Sequence, residues 1–325
     1  MKKLIIPFAI VANFLIVGCG GGSSYSTVDD GVPAPTAELK QDQTADILNK
    51  IAKTKLDPEM LIAYTYAISS GNSNTLNTTE NNNTDNSVKQ CLFGGTITHE
   101  TISGKSKNND SNATSGGEKY KLIYNDCEIL PGITENGTIN IADDWNKEEN
   151  YIIKYSATIN SKNFVYRKDD KNKFTISFSK KNSGKYCKEH GHSDGVCYDE
   201  GTSVNEYSGK FISNSDTLEF KNIKTETKFK KNYREPYDYY RYFKTSGAIK
   251  SSELKGWIVI QTPTPFEKNE KDKVDSDPDI YCWHTGKLVI KGENHTLTQE
   301  VNSDHSIVQK FDDKVVKKYT NCLNY

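Results

Sequence analysis

The sequence predicts a mainly β protein: an antiparallel meander, whether curved sheet, half-barrel or sandwich, preceded by a short N-terminal helical hairpin. Three observations predict it. Apolar and polar residues alternate in Tyr120-Lys-Leu122-Ile-Tyr124, Ile139-Asn-Ile141, Phe174-Thr-Ile176-Ser-Phe178 and Leu218-Glu-Phe220, and a period of two marks a strand with one wet face. Turn-rich segments punctuate these runs at 108–117, 169–172, 214–216 and 267–278, as hairpins require. The composition is polar, with 34% hydrophobic residues and a mean hydropathy of −0.72, offset by 19 Tyr and 12 Phe. That balance suits a sheet wet on one side and excludes a parallel sheet covered on both.

The chain opens on a leader. Lys2 and Lys3 precede an apolar run over 4–17, broken by Pro7 and Asn13, that ends in Ile16-Val17-Gly18-Cys19. The run is shorter than the roughly 20 residues of a spanning helix, and a short apolar run behind basic residues reads as a removable signal. The stretch resembles a bacterial lipoprotein signal peptide: a branched residue three before the cysteine, a small one just before it, and the lipobox cysteine itself. The resemblance implies that residues 1–18 are removed, that Cys19 carries a diacylglycerol, and that the new amine is acylated, typically with palmitate. Gly20, in place of Asp, implies delivery to the outer membrane. The mature chain would then hold 325 − 18 = 307 residues with 40 Lys and Arg against 43 Asp and Glu, a net charge of −3. So balanced a chain is expected to hold the membrane through lipid and not to bind nucleic acid.

Residues 19–35, Gly/Ser-rich and then carrying Pro33 and Pro35, read as the lipidated cysteine and a flexible tether. Residues 36–71 read as helical. Ala45, Leu48, Ile51 and Ala52 recur at helical spacing, and Asp57-Pro58-Glu59 restarts a helix with Met60, Leu61, Tyr64, Ala67 and Ile68 on its apolar side. Residues 72–90, Asn/Thr-rich, read as a disordered linker. Residues 91–325 read as the β domain. Within it, Trp257-Ile-Val-Ile260 and Leu288-Val-Ile290 are continuous apolar runs, expected in central strands covered on both faces. A glycine followed two residues later by an apolar one recurs at Gly95, Gly137, Gly209, Gly247 and Gly286. Glycine commonly opens strands, and that explains the recurrence more simply than a repeat does.

Six cysteines remain beside Cys19. An even number in an exported chain implies disulfides. Among the fifteen possible pairings the sequential one, Cys91–Cys127, Cys187–Cys197 and Cys282–Cys322, needs only neighbouring strands. The frame Cys91-Leu-Phe-Gly-Gly-Thr, Tyr124-Asn-Asp-Cys127 and Asn136-Gly-Thr-Ile also resembles that of other cysteine-containing, β-rich bacterial lipoproteins, and implies no activity.

Few residues invite chemistry. Cys187, His190, His192 and Cys197 lie within eleven residues and carry zinc-type ligands, but an oxidising compartment favours a disulfide there, and no metal site is assigned. Asp275, Asp277 and Asp279 imitate a calcium loop, yet Ile280 and Lys287 stand where glycine and a bidentate acid are needed. Tyr233, Tyr237, Tyr239, Tyr240, Tyr242 and Phe243 crowd one stretch, expected as core more than as a binding patch. Asn82 and Asn112, each two residues after an acid, resemble bacterial glycosylation acceptors. No nucleophile elbow, phosphate loop, dinucleotide fingerprint or His-Glu-x-x-His is present. The expectation is a non-enzymatic binding or structural protein of the cell envelope, without cofactor, whose protein or glycan partner is open. The alternative is a half-barrel carrier of lipid or another hydrophobic ligand.

Overall fold

The structure, a computed structural model, describes residues 31–43, 86–105, 115–147, 152–187, 198–213, 216–232, 239–252, 254–269, 273–274 and 277–320. These residues form β1 (Asn86–Gln90), β2 (Gly94–Lys105), β3 (Ser115–Leu130), β4 (Ile133–Lys147), β5 (Ile152–Asp169), β6 (Asn172–Cys187), β7 (Tyr198–Ser213) and β8 (Asp216–Asn232). They continue with β9 (Tyr239–Ser251), β10 (Trp257–Asn269), β11 (Lys273–Val274), β12 (Asp277–Tyr281), β13 (Thr285–Lys291), β14 (Thr296–Val301), β15 (Ile307–Phe311) and β16 (Lys314–Tyr319). Fourteen strands make one antiparallel sheet in chain order, β1 to β10 and then β13 to β16, with β11–β12 a separate hairpin between β10 and β13. Every neighbour in the large sheet is a hairpin partner, so it is one open meander without crossovers.

The strands are long. β5 runs for 18 residues, about 60 Å at 3.3 Å per residue. The apolar alternation read from sequence marks only part of each strand. Lys, Thr and Ser continue the ladder beyond it, as in Thr225-Glu-Thr227-Lys on β8.

One face of the sheet carries the core. Leu122 stands opposite Ile139 and Phe178 opposite Tyr207, which stands opposite Ile223. Further along, Ile249 faces Ile258, Ile260 faces Ile290, and Ile290 faces Leu297. All of these belong to one buried apolar cluster, and fully burying each such side chain is worth roughly 1.5–3 kcal/mol. Rings meet along the same face, Tyr124 edge-on to Phe164 at 5.1 Å. Ile258, Val259 and Ile260 are all buried, so β10 is covered on both faces there; on β13, Leu288 and Ile290 are buried but Val289 is only half-buried.

A line of β-bulges crosses the sheet and shows the same parts each time. Asp126, Asn163 and Asn222 all have positive φ (46°, 55° and 49°), and each sits at a register shift or beside one. The N–H of Asn163 donates to Ser177 Oγ at 2.9 Å and that hydroxyl donates to Asn163 Oδ1 at 3.3 Å. Asn222 and Ser208 repeat the pair with the same two distances. At the first bulge Asp126 N–H donates to Asn136 Oδ1, and Asn136 Nδ2 donates back to Asp126 Oδ1, both at 2.9 Å. Short polar side chains tolerate the left-handed conformation because they hydrogen-bond locally, and bulges bend and twist the strand that carries them. The recurring glycines belong to this line. At Gly137, with φ 133°, a Cβ would lie 2.9 Å from the Phe164 ring, the aromatic-over-glycine arrangement that lets a sheet coil. The bulge-and-glycine device therefore recurs structurally, which a preference of glycine for strand openings does not explain.

Two expectations from sequence are corrected and a third, the helical hairpin over 36–71, is unsupported. The residues that carry the helical pattern, 45–68, lie outside the described residues. In the described part of 36–71, Thr36–Lys40 has no regular secondary structure and Gln41–Gln43 is a single 3-10 turn, and no α-helix occurs among the described residues. This stretch is a strap. Thr36 and Ala37 N–H both donate to Trp257 O, Trp257 N–H donates to Thr36 Oγ, and Glu293 N–H donates to Ala37 O, all at 2.9–3.0 Å. Ala37 and Leu39 are 1% exposed. Gly292 makes the close approach possible, since a Cβ there would lie 2.5 Å from both Ala37 O and Leu39. Backbone bonds to a sheet end and two buried side chains hold this segment in place. The linker expected over 72–90 ends instead in β1, whose residues pair with β2 from Asn86 opposite Glu100 to Gln90 opposite Thr96. The acidic stretch around Asp277 and Asp279 is strand β12, not a loop. Residues 44–71 and 72–85 lie outside the described residues, as do the leader, Cys19 and most of the tether.

Candidate functional site: a basic face with a serine-lined depression

The face opposite the core is polar, and on β5 to β9 it is strongly basic. The register decides which side chains share it. Residues adjacent to core positions on the same strand point away from the core, and directly paired residues share a face. β6 places Lys173, Lys181 and Lys185 there, and β7 adds Lys210. β8 supplies Lys221, Lys224, Lys228 and Lys230. Lys244 and Lys250 come from β9, and Lys154 and Arg167 from β5. Against these twelve cations stand four acids, Glu200, Glu206, Glu219 and Glu226, an excess of 12 − 4 = 8 positive charges. Three of the acids are ion-paired, Lys185 to Glu200 at 3.2 Å, Lys224 to Glu206 at 2.7 Å and Lys228 to Glu226 at 3.6 Å. Such exposed pairs contribute little to stability, but they fix lysine stems along the strands.

A depression of about 320 Å³ lies within this face, lined by Ser161, Ser177, Phe178, Ser179, Glu206, Tyr207, Ser208, Asn222 and Lys224. The bulges build it. Ser177 and Ser208 are register partners on β6 and β7, and each is held by its own left-handed asparagine. Ser179 stands opposite Glu206, and Glu206 opposite Lys224. Ser161 Oγ donates to Thr138 O at 2.5 Å. Phe178 and Tyr207, between these residues on β6 and β7, send their side chains into the core cluster on the other face. The arrangement can offer several hydroxyls, an amide and a paired Lys–Glu to one ligand, in a positive field that low-dielectric walls concentrate.

Sequence reasoning missed this site, though a trace of it is legible. A bulge shifts the buried phase from i, i+2 to i, i+3, and an Asn or Asp precedes the last buried residue: Tyr124-Asn-Asp126-Cys127, Ser161-Lys-Asn163-Phe164 and Phe220-Lys-Asn222-Ile223. The basic face was hidden by whole-chain charge, which averages it away.

The residues singled out from sequence fall elsewhere. Cys91 and Cys127 are bonded to each other, with Cα atoms 5.5 Å apart, and join β3 to the turn that opens β2. Cys282 is buried and disulfide-bonded. Cys322, Cys197, His190 and His192 lie outside the described residues, as do Asn82 and Asn112. Cys187 closes β6. Tyr242 is buried, with the Lys228 ammonium 5.6 Å above its ring, and Phe243 packs on the core. Among the described residues no group of three or more His, Cys, Asp or Glu is placed to hold a metal ion. One His–Asp pair stands apart: His295 Nδ1 lies 2.6 Å from Asp312 Oδ2, while Thr296 N–H donates to Asp312 Oδ1 at 2.8 Å. The Thr296 amide, and then His295, hold the Asp312 carboxyl below its ordinary range. This pair ties the β15–β16 turn to the start of β14.

No protein family, no curated protein and no solved structure matches the chain.

Proposed function

We propose that this chain is a lipid-anchored protein of the bacterial envelope, held at the outer membrane through Cys19, that acts by binding and not by catalysis. The lipobox-like Ile16-Val17-Gly18-Cys19 behind a basic, apolar leader carries the reading. The disulfides at Cys91–Cys127 and Cys282 support it, because such bonds persist in oxidising compartments. The broad wet face on one side of the sheet supports a binding role, since it offers an extended surface and a polar depression. A carrier of apolar ligands would need a dry apolar cavity, whereas this depression is lined by serines.

The test is metabolic labelling with an alkynyl fatty acid followed by membrane fractionation. The wild-type chain is expected to carry label and to remain in the membrane fraction through high salt. Cys19→Ala is expected to lose the label and become soluble. Retention of Cys19→Ala in the membrane would refute the anchoring account.

A further inference from the structure

We infer that the basic face of β5 to β9 binds an acidic polysaccharide, with the serine-lined depression as the seat of one sugar unit. The inference deepens the envelope-binding reading and rests on it for where such a partner is met. Three observations carry it. The charge is concentrated, twelve cations against four acids on one face of five consecutive strands, in a chain whose overall balance is negative. The charges are spread over a grid of positions and not gathered at one point, neighbouring strands lying about 4.8 Å apart and same-face residues on one strand about 6.7 Å apart. Such a lattice suits a polymer with recurring negative charges more than a single anion. The depression inside it is hydroxyl-rich, with Ser177, Ser179 and Ser208 beside Asn222 and the Lys224–Glu206 pair. These groups match sugar hydroxyls, which both donate and accept.

Competing polyanions fit less well. Single-stranded nucleic acid calls for exposed aromatic stacking platforms; Phe178 and Tyr207 beside the depression point into the core of the other face, and Tyr242, which shares the basic face with Lys228, is buried. An anionic membrane surface favours apolar side chains that enter the interface. The exposed large apolar residues among those described, Val88, Leu92, Phe93, Ile102 and Val315, all lie on β1, β2, the turn between them or β16, away from this face.

The experiment uses the full-length chain in detergent, titrated with polygalacturonate, with dextran, duplex DNA and phosphatidylglycerol vesicles as comparators. Two variants are titrated alongside: the triple reversal Lys181→Glu, Lys210→Glu, Lys221→Glu, all at exposed positions, and Ser179→Trp, which fills the depression at constant charge. Thermal unfolding checks that each is folded, with Ser179→Thr as the mild counterpart. Polygalacturonate is expected to bind at 0.15 M salt and dextran not. The triple reversal is expected to weaken binding more than tenfold. Ser179→Trp is expected to weaken it about tenfold, and Ser179→Thr less than twofold. No polygalacturonate binding even at 0.05 M salt, or no effect of folded Ser179→Trp, would overturn the inference. So would DNA or vesicles binding as tightly as polygalacturonate. The titration does not depend on lipidation, so failure of the anchoring test and failure here are separate results.

Discussion

Truncating Leu39 to alanine tests the strap. Leu39 is 1% exposed and lies within the main apolar cluster. Removing three carbons loses roughly 0.8 kcal/mol each, about 2.4 kcal/mol of transfer free energy, and the residual cavity raises the cost to about 3 kcal/mol. The strap is held by four hydrogen bonds that involve Thr36, Ala37, Trp257 and Glu293, and those bonds form only while it is docked. The loss should therefore appear first as local opening. At 1.4 kcal/mol per decade, hydrogen exchange at the amides of Thr36, Ala37, Trp257 and Glu293 should accelerate about a hundredfold in Leu39→Ala. Amides at the centre of β5 and β6 should change far less. Exchange-detected mass spectrometry of the peptides spanning 34–40, 255–260 and 291–297 reads this directly. Unchanged exchange at all four amides would mean that Leu39 does not hold the strap, and the account of this segment would be wrong.

Three other outcomes follow from the same structure. The Cys91→Ala, Cys127→Ala double variant should lose about 4 kcal/mol in urea unfolding, as the chain-entropy estimate gives for a 36-residue separation; a loss under 1 kcal/mol would contradict it. Asn163→Ala should cost about 1–2 kcal/mol, because a left-handed residue with a Cβ is strained and the Ser177 hydroxyl loses a partner, whereas Asn163→Gly should recover most of the strain; equal costs for both would show that φ is not the constraint. Burial alone would raise the Glu300 carboxyl, but hydrogen bonds and charge from Lys287 and Lys310 outweigh it and hold the group below its ordinary range. A depressed folded-state pKa stabilises above the unfolded value and is lost as pH falls through the folded one. Wild type should thus exceed Glu300→Gln by about 1 kcal/mol near neutrality, with the gap closing in acid; a gap that widens in acid would reverse the sign.

What the sequence determined by itself was local. Period-two alternation at Tyr120–Leu122–Tyr124 or Phe174–Ile176–Phe178 reports which face of a strand is buried, because neighbouring side chains on a strand point to opposite sides. Turn residues and the pairing of Cys91 with Cys127 across adjacent strands were legible for the same reason: each depends on residues near in sequence or on neighbouring hairpins. The tertiary structure decided the rest. The strap is non-helical because Thr36 and Ala37 bond to Trp257, 221 positions away in the case of the Thr36 hydroxyl, and local pattern carries no trace of a partner so distant. β1 becomes a strand because β2 offers it a ladder edge, although its own residues read as linker. The basic face exists only after the register sets Lys181, Lys210, Lys221 and Lys250 on one side of adjoining strands. Charge is summed along a chain but acts across space, so a chain with a net excess of acids can still present a cationic surface.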